Sequence, residues 1–258
     1  MDSVNKTLYL PLYAKAFVSR KGLFLKDPKA ERLWAQAAFP LKGKAKSRWL
    51  CYYLGIRAAV FDDWVRARLA EDAVVLHIGC GLDSRAERVD HAGVRWYDVD
   101  FPQVIAERRE VYDENPHYRM IPGDAREPSW LAEIPETGRA IVVMEGISMY
   151  LKNDEVRTLL TALRQRFARL EVLMDCYTPL AARLSKRGNP VSTVGVEEVW
   201  GVEAPQDLCV AGVGFAAEHD MTPPEYCAQL TGAEGAIFRK VYAGSFSKKL
   251  YRLFSYKS

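Results

Sequence analysis

The sequence predicts an α/β fold, a mostly parallel sheet covered on both faces and preceded by a helical segment. Three observations carry that prediction. From residue 73 onward, short apolar runs alternate with helical stretches, as strands joined by crossover helices do. The runs are apolar almost throughout, as in strands buried on both faces. Residues 1–72 carry a helical stripe and no strand signal.

The stripe is clearest in "SRWLCYYLGIRAAVFDDWVRARLAED", where Leu50, Tyr53, Leu54, Val60, Phe61, Trp64, Val65 and Leu69 recur at helical spacing. Further helices are expected over parts of 5–19 and 28–38. The first strand is "AVVLHI", followed by "VRWYDV", "HYRMI", "AIVVM" and "EVLMDC". Helices are expected between them at about 84–90, 101–115 and 152–169. The last has Asn153 as its expected N-cap, with Asp154 and Glu155 in the first turn, where the helix dipole favours anions. Residues 177–212 form a long Pro- and Gly-punctuated connection. "GFAAEHD" then reads as a strand, "PEYCAQLTGAEGAIFRKVYA" as one helix and "LYRLFSYK" as a closing strand. The expected division is a helical cap over 1–72 and an α/β domain over 73–258, with 177–212 an insertion contributing to the cap.

Composition narrows the class. The 258 residues are 49% hydrophobic and 27% charged, enough for a sizeable core. A net charge of +3 argues against a nucleic-acid partner, and the local excess "KGKAKSR" reads as a solvated loop and helix entry. The five cysteines are irregularly spaced with no CxxC pair, so neither a disulfide framework nor a zinc site is expected. "MDSVNKTLYLPLY" lacks the pattern of a signal peptide, and no apolar run is long enough for a membrane span. The reading is a soluble cytoplasmic protein with no metal and no membrane partner.

The chemistry centres on "VVLHIGCGLDSRAERV". A strand leaving through Gly79 and Gly81 lets a ligand meet bare backbone. The third position of a dinucleotide fingerprint is Ser84, which speaks against a pyrophosphate-bearing ligand and an oxidoreductase, and allows S-adenosylmethionine (SAM). The second strand ends "WYDVDFP". Asp98 and Asp100 share strand parity. Asp100 lies 21 residues after Gly79 at the strand's end, where an acid can accept both ribose hydroxyls or cap the next helix. Asp124 in "PGDAREP" is placed either to accept from an adenine amino group or to close a turn. Glu145 in "MEGISMYL" stands at the fourth strand's end beside Gly146, suited to the amino-acid end of SAM or to a solvated loop.

"HIGCGLDSR", "WYDVDFP", "GDAR" and "MEGISMYL", in this order and spacing, resemble the leucine carboxyl methyltransferase family of SAM-dependent O-methyltransferases. Within it they look most like the bacterial small-molecule branch typified by a tetracenomycin polyketide O-methyltransferase. The resemblance runs from "TLYLPLYAKAF" to "EVWGVEAPQDL". It implies the class I methyltransferase fold, Rossmann-like, with a seven-stranded sheet, one antiparallel strand and a helical cap. It also implies that Gly79 faces SAM, Asp100 the ribose, Asp124 and Ala125 the adenine, and Glu145 the methionine part. Arg57 in "LGIRAAVFDDW" matches a family arginine that binds the SAM carboxylate. The sequence departs from the family at His77 (usually Asn or another small polar residue), Cys80 (usually Ala), Glu87 (often aromatic) and Lys15 (Arg in many small-molecule members). It is also short for the family, which implies a reduced cap.

Methyl transfer from a sulfonium is an in-line displacement, so alignment and exclusion of water are what the protein must supply. A carboxylate acceptor needs no base, whereas a phenol does. Of His77, His91, His117 and His219, only His219 is a candidate base. Tyr150 is a candidate for the substrate wall. The expected function is O-methylation of a carboxyl or phenolic oxygen of a small metabolite. Methylation of a protein C-terminus and non-catalytic SAM binding are the alternatives.

Overall fold

The computed structural model describes every residue except 1–7, 38–40, 42, 92, 137 and 186–197. Helix expected before residue 8 or at 38, the start of the basic stretch at 42 and the middle of the 177–212 connection lie outside the described residues.

The strands are β1 (Ala73–Ile78), β2 (Arg95–Asp100), β3 (Tyr118–Pro122), β4 (Arg139–Met144), β5 (Arg169–Tyr177), β6 (Gly214–His219) and β7 (Tyr251–Lys257). They form one sheet in the order β3-β2-β1-β4-β5-β7-β6. β7 runs antiparallel to both its neighbours, and the other pairings are parallel. The helices are α1 (Tyr9–Arg20), α2 (Pro28–Gln36), α3 (Arg48–Arg66), α4 (Arg85–Arg88), α5 (Pro102–Arg109), α6 (Asn153–Arg166), α7 (Pro179–Ser185), α8 (Pro224–Cys227), α9 (Gly232–Val241) and α10 (Ser245–Lys248).

Burial of both sheet faces explains the unbroken apolar runs. Every residue of β1 is buried. Val74, Leu76 and Ile78 join Leu159, Leu160 and Leu163 of α6 on one face. Ala73 and Val75 meet Tyr52, Ile56, Phe61 and Trp64 of α3 on the other. α3 is therefore a layer of the α/β sandwich as well as a wall of the site, and α1 packs on it through Val18.

Three local expectations are corrected. Lys152, not Asn153, occupies the extended cap position before α6. Its N–H is taken by the Glu155 carboxylate at 2.7 Å, and Asn153 is already helical. The helix expected over 101–115 ends at Arg109, ahead of Asn115 and Pro116, which turn the chain into β3. The helix expected over 224–243 is two helices, α8 and α9. Gly232 takes a left-handed φ of +58°, and Leu230 folds so closely onto α9 that a Cβ on Gly235 would stand 1.8 Å from its carbonyl oxygen.

Candidate active site

Strand order decides where a ligand can sit. The chain reverses direction of winding between β1 and β4, and a crevice opens at the carboxyl ends of strands at such a switch point. A cavity of about 880 Å³ lies there. Across its floor, the ends of β2 and β3 supply Asp100, Asp124 and Ala125. Those of β1 and β4 supply Gly79, Gly81, Glu145 and Gly146, and those of β5 and β7 supply Tyr177 and Tyr251. Lys15 of α1 and Arg57 of α3 close it from above the sheet face.

The β1 exit is shaped by its glycines. Gly79 donates to the Val99 carbonyl at 2.8 Å, extending the β1–β2 ladder by one rung, and stands at φ +72°. Gly81, at φ +51°, donates to Asp100 Oδ2 at 2.8 Å, while Phe101 N–H donates to Oδ1 at 2.8 Å. Asp100 is thereby aimed across the loop. Burial pushes its carboxyl up to about 6, against the pull of those two N–H donors. The rival Asp98 does not reach the cavity. It is fully buried, and it accepts from Arg108, Tyr118 and Trp96 Nε1. Burial would raise its carboxyl, but Arg108, His77 and Tyr118 together outweigh that and hold it at about 2.

Below the glycine loop lies a buried ion network. Arg85 donates to Asp62 at 2.8 Å and to Glu145, and its Nη1 lies 3.1 Å from His77 Nε2. Arg88 bridges Asp62, Asp27 and Asp83. Lys15 Nζ is 3.1 Å from Asp83. Arg57 donates through Nε to Glu145 at 3.0 Å and through Nη1 to Asp175 at 3.0 Å and to the Tyr251 hydroxyl at 2.8 Å. Burial alone would raise Glu145, but Lys15, Arg85 and Arg57 hold it ionised, at about 2. His77 is kept neutral by burial and by Arg85 beside it.

The expected site residues fall into two groups. Arg57, Gly79, Gly81, Asp100, Asp124, Ala125, Glu145 and Tyr150 all line the one cavity. Asp124 does so with its carboxylate held by Arg126, Nε to Oδ1 at 3.0 Å. His219 is not among the lining residues. It sits on the outermost strand with Nε2 2.8 Å from Ser255 Oγ, and burial lowers its basicity, so it is not brought together with the other expected site residues. Residues that sequence reasoning missed are Asp175, Tyr251, Arg85 and Asp62, whose roles rest on partners far away in the chain. Of the family departures, Lys15, His77 and Cys80 all line the cavity as buried side chains, and Glu87 pairs with Lys29 at 3.7 Å on the exterior.

The profile of the leucine carboxyl methyltransferase family matches residues 3–164. The chain belongs to that family. Among relatives, it is 31% identical over 261 residues to the tetracenomycin polyketide synthesis O-methyltransferase TcmP of Streptomyces glaucescens, covering 98% of this chain and 97% of that one. It is 29% identical over 150 residues to the S-adenosyl-L-methionine-dependent methyltransferase dpfgK of Gibberella zeae, covering 53% of this chain and 50% of that one. The fold matches a SAM-dependent methyltransferase from Mesorhizobium loti with a TM-score of 0.55 at 13% identity, over 76% of this chain and 96% of that one. It also matches magnesium protoporphyrin IX methyltransferase from Synechocystis with bound SAH, at 0.51 and 13%, over 89% and 92%. This leucine carboxyl methyltransferase family member is a SAM-dependent O-methyltransferase with the class I fold. Its cavity fits the cofactor: bare glycine backbone beside an aimed carboxylate suits a nucleoside, and a floor of paired acids and guanidinium suits a ligand carrying a sulfonium, an ammonium and a carboxylate. No helix among the described residues is long and apolar enough to cross a membrane.

Proposed function

We propose that this enzyme transfers a methyl group from SAM to a carboxylate oxygen of a small aromatic acid, forming a methyl ester. The observation that carries this reading is the lobe over β5 and β7. There Tyr53, Tyr150, Tyr177 and Tyr251 stand among leucine and methionine side chains, with the Tyr177 and Tyr251 rings 5.0 Å apart. Such a wall takes up a flat apolar body by contact, and phenol hydroxyls can donate to a carboxylate at its reacting end. The relative TcmP is named for tetracenomycin polyketide synthesis, which agrees with an aromatic, polyketide-like acid as acceptor class.

Bound SAM supplies the activated methyl group. The chain's own residues position it: Asp100 accepts from the ribose hydroxyls, Asp124 and Ala125 meet the adenine, and Gly79 offers backbone without a side chain. Arg57 holds the cofactor carboxylate and Glu145 the ammonium. Arg57 is already fixed by Glu145 and Asp175, so little ordering remains to be done on binding. A carboxylate is ionised near neutrality and needs no proton removed. A phenol, with a pKa of about 10, would need a base. His77 is locked against Arg85, His219 stands apart, and burial raises Tyr53, Tyr150 and Tyr251.

The test is transfer of labelled methyl from SAM to matched pairs of aromatic acids and phenols. The expected product forms on the acids, is hydrolysed by alkali to release methanol, and, at saturating SAM, appears at a rate nearly independent of pH above about 6, where acceptor carboxylates are ionised. An alkali-stable product formed on the phenols alone would overturn the carboxyl reading.

A further inference from the structure

The buried carboxylate of Asp175 gathers three parts of the site that the chain supplies from three places. Asp175 lies in β5 and is fully buried. Its Oδ1 accepts the Gly146 N–H at 2.7 Å, at the turn that follows Glu145. Its Oδ2 accepts from Arg57 Nη1 at 3.0 Å and from the Tyr251 hydroxyl. Tyr251 in turn accepts from the same Arg57 Nη1 at 2.8 Å. Gly146 stands at φ +74°, and a Cβ there would come 3.2 Å from Arg57 Nη2, so the turn and the guanidinium are packed directly against each other. Arg57 has a side chain with many rotamers, and its Nε is tied only to Glu145. Without a second anchor, the guanidinium could pivot about that bond.

We propose that Asp175 is a positioning residue for the methionine end of the cofactor. It fixes the Arg57 guanidinium and the Gly146 turn in one geometry, so that Nη2 and Glu145 meet the amino-acid group of SAM already oriented. The inference rests on the proposed role of Arg57 as the cofactor's carboxylate ligand. Asp175 itself lines no part of the cavity, so its effect passes through Arg57 and Gly146. A hydrogen bond to a charged partner at this strength corresponds to about tenfold or more in affinity.

The test compares two cofactor-derived ligands by calorimetric titration of the full chain. S-adenosylhomocysteine (SAH) carries the amino-acid end, and 5'-methylthioadenosine lacks it. In Asp175→Asn, which preserves side-chain shape and an acceptor for Gly146, SAH affinity is expected to fall about tenfold or more. Methylthioadenosine affinity is expected to stay within about twofold, so the ratio of the two collapses. An unchanged ratio, whether both affinities are retained or both fall together, would overturn the proposal. If Asp175→Asn does not fold, Asp175→Glu keeps the buried charge with a longer reach. A lowered ratio there supports the proposal and an unchanged one overturns it. Arg57→Ala separates the two layers of inference. A ratio that moves in Arg57→Ala but not in the Asp175 variants overturns the positioning role alone. A ratio that moves in neither overturns the Arg57 role as well.

Discussion

At Gly79 the backbone leaves no room for a side chain. A Cβ built on it would stand 2.1 Å from Ile147 Cγ2, and its φ of +72° is costly for any other residue. Gly79→Ala is expected to cost about 1–3 kcal/mol of stability and to weaken SAH binding. Denaturant titration and calorimetry check both, and wild-type SAH affinity would remove the cradle role of this loop. Asp100 carries a pH signature. Its folded carboxyl titrates near 6, above the usual value of about 3.9, so the folded chain holds that proton more tightly than the unfolded one does. Its contribution to stability is therefore full below about pH 4 and lost as pH rises to about 6. Cofactor affinity runs the other way, because the ionised form is the better acceptor for ribose hydroxyls. SAH affinity is expected to rise through pH 6 and to flatten in Asp100→Asn. A dependence that survives in the variant would assign it to another group. That Gly79, Asp100 and Glu145 line the cavity was legible in the sequence because each stands at or just past the carboxyl end of a strand, where open α/β sheets form their crevice. Asp175 was not: its tie to Arg57 spans 118 residues, and a β5 aspartate without its partner is just a polar residue in a strand.

Among the elements, α3 does the most varied work, and its own pattern conceals it. Of the apolar stripe read from the sequence, Tyr53, Phe61, Trp64 and Val65 join the core that covers the sheet, while Leu50 and Leu54 pack with Ala14 of α1. Arg57 and Asp62 interrupt that helix as buried charges, and neither is explained by periodicity. Asp62 receives Arg85 Nε at 2.8 Å and Arg88 Nε at 2.7 Å. Asp62→Ala leaves two buried guanidiniums short of a counter-charge, and a loss of about 3–5 kcal/mol is expected. Glu155→Ala, which removes only the exposed bond to Lys152 N–H at the start of α6, is expected to cost about 1 kcal/mol. The two urea midpoints should separate clearly. Equal shifts would mean that the network under the glycine loop is no more stabilising than a surface cap. Strands were legible because continuous apolar runs have one meaning here, burial on both faces. The break between α8 and α9 was not, because it depends on Leu230 packing onto Gly235, a contact that no local pattern encodes.

In the whole molecule, the N-terminal helices and the sheet share one apolar core, in which Val18 and Tyr52 belong with Val75, Val143 and Leu253. The same helices bring Lys15 and Arg57 over the strand ends, so the cavity exists only where both parts are folded together. A cap that could open independently would have its own core and few charges shared with the sheet. Here Arg57 bonds to β5, Asp62 to α4, and Asp27, at the cap of α2, to Arg88. The sequence suggested a boundary near residue 72 because helical and strand patterns change there. The expectation is one cooperative calorimetric transition. SAH at about 100 times its dissociation constant should move that whole transition upward, by about 2.7 kcal/mol of added stability. Two transitions, with an early one insensitive to SAH, would mean that the N-terminal helices fold and unfold by themselves, and that Arg57 reaches the cofactor from a separable unit.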